Sequence, residues 1–182
     1  MAICVCMSTS THLFSRMIRW VSRSKASHSF LTFKDETLDK VFVMEANGRG
    51  FMLVPWAKFS KENQLIARYS IRTTTDEQLR SLRDLAGMLG AQYDYISIIG
   101  FALRRFWKRM RNPFSTSKKL VCSEAVARFL YQTNDPALPK FKECDTWLPE
   151  DILAEAGIND VFVLEEPKRG DDQGANQEHG NP

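Results

Sequence analysis

Lys118-Lys119-Leu120-Val121-Cys122-Ser123-Glu124-Ala125-Val126-Ala127-Arg128-Phe129-Leu130 is the stretch on which the reading of this chain turns. A short apolar lead-in runs into Cys122, and apolar residues then recur at helical spacing through Val126, Phe129 and Leu130. Ser123 and Glu124 suit a first helical turn, where free backbone N–H groups favour nearby negative charge. The spacing therefore predicts a helix whose N-terminus carries Cys122. An ordinary cysteine, with a pKa of ~8.5, is mostly protonated at neutral pH; a helix start aided by a histidine lowers that by several units. A small buried residue packing a helix fits the same pattern. Cys122 alone does not decide between the two.

The second half of the argument lies upstream. His28-Ser29-Phe30-Leu31-Thr32-Phe33 reads as a strand, Lys34 to Asp39 as a polar connection, and Lys40 to Ala46 as a second strand. A hairpin centred on that connection sets His28 directly opposite Glu45. Opposed residues point to one face of a sheet, so imidazole and carboxylate are expected to meet. A slip of one residue would put them on opposite faces, and an incidental salt bridge on a partly exposed strand pair fits the pattern too.

Working outward, Ala2 to Met7 is an apolar run of strand length in which Cys4 and Cys6 share a face. Residues 12–22 read as an amphipathic helix, with Leu13, Met17 and Trp20 on one face and Arg16, Arg19 and Arg23 off it. A turn at Asn47 to Gly50 leads to a third strand, Phe51 to Val54, stopped by Pro55, and Gln64 to Ile71 alternates as a fourth. Thr75 to Gln78 reads as a capping box opening a helix whose Leu79, Leu82, Leu85, Ala86 and Leu89 face inward, closed by Gly90. Pro149 starts a later helix that ends at Gly157, and Val161 to Leu164 is a last strand.

Residues 96–112 combine an apolar stripe (Ile99, Leu103, Phe106, Met110) with Arg104, Arg105, Lys108, Arg109 and Arg111. Two readings stand: a helix covering a cleft with its basic face solvated, and a weak contact with an anionic membrane surface. From Pro167 on, the chain is polar and nearly free of apolar residues, which predicts a disordered tail that includes His179. The expected organisation is one domain over residues 1–166 and the tail over 167–182.

Composition bounds the rest. A chain of 182 residues with 43% hydrophobic content can bury one sizeable core. A net charge of +3 does not suit a dedicated nucleic-acid binder. The four cysteines form no Cys-x-x-Cys pair and have no ligand-spaced histidines, so a zinc site is not expected. No secretory leader or membrane span is visible, which points to a reduced, cytoplasmic protein.

A thiol at a helix start, a histidine on a sheet and a carboxylate placed to orient it follow the logic of a nucleophile, a general base and an orienting third group. The chain resembles the permuted NlpC-type papain-like hydrolases, the YiiX-like group. The likeness rests on Phe14 to His28, Val43-Met44-Glu45-Ala46, Tyr93-Asp94-Tyr95, Leu120 to Ala127 and Trp147 to Leu153. It departs at the first strand, where Ala2-Ile3-Cys4-Val5-Cys6 replaces a Gly-Asp opening, and at Ser29, where an apolar or small residue is usual.

The resemblance implies an α+β, permuted papain-like fold, with a mostly antiparallel sheet packed against helices. It implies Cys122 as nucleophile, His28 as base and then acid, Glu45 as orienting group, and no metal or organic cofactor. The implied reaction is cleavage of a peptide, amide or acyl-lipid bond through a thioester. Tyr95 is a weaker candidate for lining the site. The competing expectations are a non-catalytic binding module that keeps the fold and an anionic-surface adaptor acting through residues 104–119.

Overall fold

Strand β1 (Ile3–Thr9) is buried at every position, and the sheet order explains why. The computed structural model describes residues 3–94, 119–138, 141, 144 and 147–165; the basic segment 96–112, Tyr95 and the tail lie outside them. Six strands form one antiparallel sheet in the order β4-β3-β2-β1-β5-β8. β1 pairs with β2 (His28–Asp35) and β5 (Gln64–Ile71); β3 (Lys40–Asn47) and β4 (Gly50–Pro55) extend the sheet beyond β2, and β8 (Phe162–Leu164) extends it beyond β5. A central strand covered on both faces reads as a continuous apolar run, as Ile3 to Met7 does. The fold is thus α+β with a mostly antiparallel sheet, as the sequence predicts.

One face of the sheet presents Ile3, Val5, Met7, Leu31 and Met44 to the main core. Helix α3 (Thr75–Ala86) contributes Leu82 and Leu85 to it, and α4 (Cys122–Gln132) contributes Val126, Phe129 and Leu130. Ile152 of α5 (Pro149–Ala156) closes the same core. The opposite face carries a smaller cluster of Cys4, Cys6, Phe30 and Val43, capped by Phe59 of the short helix α2 (Trp56–Phe59). Cys4 and Cys6 do share a face, and the four cysteines are unbridged. No helix among the described residues is long and apolar enough to cross a membrane.

Three local expectations are corrected. The capping box belongs to Thr74 and Glu77, one residue earlier than expected: Thr74 Oγ1 accepts from the Glu77 N–H while Glu77 Oε2 accepts from the Thr74 N–H. The helix then ends at Ala86, with Gly87 as its cap, and Leu89 is 42% exposed rather than inward. Trp20 of α1 (Leu13–Ser22) is 74% exposed. Helical spacing allies it with Arg16, four residues back, as closely as with Met17.

Gly50 sits where the β3–β4 turn runs against the segment after α3. Its φ is +115°, and a Cβ there would stand 2.7 Å from the Ala91 carbonyl oxygen. Phe51 N–H donates to that oxygen, and Gly90 N–H to the Phe51 carbonyl. Only glycine fits both the angle and the space. The contact leads into β6 (Gln92–Tyr93), which pairs in parallel with β7 (Lys119–Leu120) and so places the start of α4.

Candidate active site

The site is assembled from the first residues of β2, the last residues of β3 and the first residue of α4. The β2–β3 ladder pairs Asp35 with Lys40 and Leu31 with Met44. Lys34 and Asp35 belong to the strand rather than to the turn, so the register differs by two residues from the one expected. Continued to its end, it would oppose His28 to Asn47, leaving Glu45 diagonal to His28 on the same face. A two-residue shift preserves the face, and the groups still meet. His28 Nε2 lies 2.7 Å from Glu45 Oε2.

The carboxylate is itself held. Asn47 Nδ2 donates to Glu45 Oε1 at 2.8 Å, and the Arg49 backbone N–H donates to Asn47 Oδ1 at 2.9 Å. Asn47, read from sequence as a turn residue, is therefore part of the constellation. Its signal was its place two residues beyond Glu45, the spacing that returns a side chain to the same face of a strand. The His28 ring is packed as well, stacked on Phe30 at 5.6 Å between centroids and tilted against Phe59 at 6.1 Å.

Cys122 is the first residue of α4 and is 4% exposed. Residue Val121 before it is extended, and small Ala125 and Ala127 accompany it into the core. Glu124 in the same first turn is buried but ion-paired, 2.7 Å from the Arg128 guanidinium one turn on. Burial would raise the Cys122 pKa, yet it is lowered: the His28 side chain and the backbone N–H groups of Ser29 and Ser123 all favour the thiolate. Burial likewise works against a charged His28. Its contacts with Cys122 and then Glu45 outweigh burial and hold the imidazolium up to about 10. With Nε2 committed to Glu45, Nδ1 is the nitrogen left to face the thiol. Each group thus favours the charged form of the other.

Ser29, singled out in the sequence as a departure, serves through its backbone. Its hydroxyl is fully buried and has no hydrogen-bond partner among the described residues. A cleft of about 500 Å³ opens beside the pair, lined among others by His28, Glu45, Asn47, Ser27, Met52 and Phe59. Cys122 does not line it; the imidazole does. Among the described residues no three His, Cys, Asp or Glu side chains gather as a metal site.

No protein-family model matches this chain, and no curated protein is significantly similar to it. A solved structure does resemble it: the crystal structure of the metalloprotein YiiX from Escherichia coli O157:H7. That match has a TM-score of 0.58 at 17% identity, covering 92% of this chain and 97% of the other. The fold is YiiX-like. At that identity the likeness speaks for the arrangement of strands and helices and for nothing finer.

Proposed function

We propose that this protein is a cysteine hydrolase of the permuted papain-like type, with Cys122 as nucleophile, His28 as acid and base, and Glu45 as orienting group. The observation that carries this reading is the meeting of buried Cys122, at a helix start, with a His28 ring that is held 2.7 Å from Glu45. Cys122 is held toward thiolate and His28 toward imidazolium, at a helix start packed on an antiparallel sheet.

In the proposed reaction, the Cys122 thiolate attacks the carbonyl carbon of an amide, peptide or acyl-ester bond. The carbonyl electrons move to oxygen, where the Cys122 backbone N–H at the helix start is a natural donor; one such donor is worth about 3 kcal/mol of barrier. His28 gives its proton to the leaving amine or alkoxide as the bond to carbon breaks, and a thioester remains. Neutral His28 then takes a proton from water, whose oxygen displaces the thiolate and releases the acid. Glu45 keeps the ring aligned and stabilises its charge throughout. The description of YiiX as a metalloprotein belongs to that protein. Three converging ligands are not found among the described residues here, so no step is routed through a metal.

Iodoacetamide labelling across a pH series, read by mass spectrometry, tests the proposal. Cys122 should label readily at pH 6, whereas Cys4 and Cys6, buried within β1, should stay unlabelled. An activated nitrophenyl ester should leave one acyl group on Cys122. A Cys122 inert to both reagents would return the protein to the binding-module reading.

A further inference from the structure

We propose that the outward face of α1, formed by Arg16, Arg19, Trp20 and Arg23, docks this protein on an anionic lipid surface. These residues stand at i, i+3, i+4 and i+7, the spacing that gathers side chains on one side of a helix. Trp20 is 74% exposed, Arg16 and Arg23 are exposed, and Arg19 is half-buried. None of the three arginines has a carboxylate partner among the described residues. Single exposed apolar residues are ordinary on a protein surface. This tryptophan differs in being set among unpaired cations.

The chain on either side of it carries charge of one sign, although Glu62 stands 3.9 Å from His12 at the start of the helix. Residues 1–34 contain no aspartate or glutamate, while Lys25 follows Arg23 in the next turn. Arg23 also caps α1 in the left-handed region, at φ +56°, a position that glycine or asparagine fills at lower conformational cost. The chemistry matches an anionic bilayer: guanidinium groups pair with phosphate oxygens, and an indole ring settles at headgroup depth with one apolar side and one polar edge. A uniform polyanion would use the cations but give the tryptophan no apolar layer to enter.

The opposite side of α1 belongs to the cleft, which Ser15 and Ile18 line together with His28. A bound surface would lie one helix diameter, about 10 Å, from that cleft. The proposal does not depend on the thiol chemistry.

The test is co-sedimentation of the full chain with phosphatidylcholine vesicles, with and without phosphatidylserine. Binding should require the anionic lipid and fade at high salt. Each basic residue near such a surface contributes about fivefold, so R16Q/R19Q/R23Q should weaken binding on the order of a hundredfold. R16K/R19K/R23K should keep most of it, separating charge from any fault in folding. W20A should weaken binding and remove a blue shift in tryptophan emission seen on adding anionic vesicles. A wild type indifferent to phosphatidylserine would overturn the proposal. So would binding that survives the triple Gln variant but is lost in R104Q/R105Q/K108Q/R109Q, which would move the surface to that segment. Tighter binding to a mixed-sequence DNA duplex, lost with the same arginines, would replace lipid by nucleic acid.

Discussion

Cys6 and Cys122 are the same side chain at nearly the same depth, and the structure gives them opposite chemistry. Cys6 is wholly buried in β1 and Cys122 is 4% exposed at the start of α4. Burial pushes the Cys6 thiol up to about 12; the Thr32 hydroxyl and Arg68 oppose this without reversing it, and neighbouring Cys4 adds to it. Burial acts on Cys122 in the same direction, but an imidazolium and two backbone N–H groups reverse the outcome. Depth therefore does not decide whether a cysteine is inert. The donors aimed at its sulfur do.

Removing the donors should turn one cysteine into the other. His28→Ala should raise the Cys122 thiol, since burial then acts without the imidazolium to oppose it, and alkylation at pH 6 should fall about a hundredfold. If the labelling profile does not move, the imidazole is not what distinguishes Cys122 from Cys6. The same group leaves a mark on stability. Burial opposes the His28 charge, but Cys122 and Glu45 hold it up to about 10, whereas an unfolded histidine titrates near 6.5. Between those values the folded chain keeps a proton that the unfolded chain has released. The contribution is complete below about 6.5 and drains as pH rises through about 10. Cys122 acts in the opposite sense, releasing on folding a proton that the unfolded thiol keeps up to about 8.5, so wild-type denaturation midpoints should fall mainly above about 8.5 and be flatter below it.

Glu45→Gln should shift the Cys122 profile in the same direction but less, with alkylation at pH 6 falling about tenfold, since the carboxylate acts only through the imidazolium. Asn47→Ala should do less, about a few-fold in rate, because it frees the carboxylate without removing it; Asn47→Ser should recover part of the loss. An Asn47→Ala profile as displaced as that of Glu45→Gln would mean that the amide holds the ring directly. At the bottom of the scale, Cys6→Ala should cost about 1 kcal/mol in a melting experiment and leave Cys122 labelling unchanged. A change in that labelling would couple the two faces of the sheet.

The features legible in the sequence were those set by short-range periodicity. Apolar spacing was enough to place a cysteine at the head of a helix, and alternation in β2 and β3 kept His28 and Glu45 on one face even though the register differed by two residues. That difference arose because Lys34 and Asp35 are polar yet lie in the ladder, where one face meets solvent. Asn47 escaped notice because asparagine before glycine reads as a turn; its amide bond to Glu45 is a fact of the hairpin's end, not of composition. The Ser29 N–H on the Cys122 sulfur was illegible for a different reason. A backbone group has no letter in the sequence. The outward turn of Trp20 is left open by local spacing, which sets it at helical intervals from Arg16 and from Met17 alike.

The wide separation of the site's parts along the chain has a consequence for how the protein comes into being. During synthesis the β2–β3 hairpin emerges early, carrying His28 and Glu45, while Cys122 follows only after β5, α3 and the β6 strand. Until α4 docks against β2, no imidazolium or Ser29 N–H is near the sulfur, and the thiol is as sluggish as any other. Contacts of such long range form late, after the loop-closure cost of the intervening chain has been met. On the proposed function, a ribosome-bound chain, or one trapped half-folded, would therefore carry no reactive thiolate to damage its neighbours. Labelling of Cys122 at acid pH would then double as a clock for completion of the native fold.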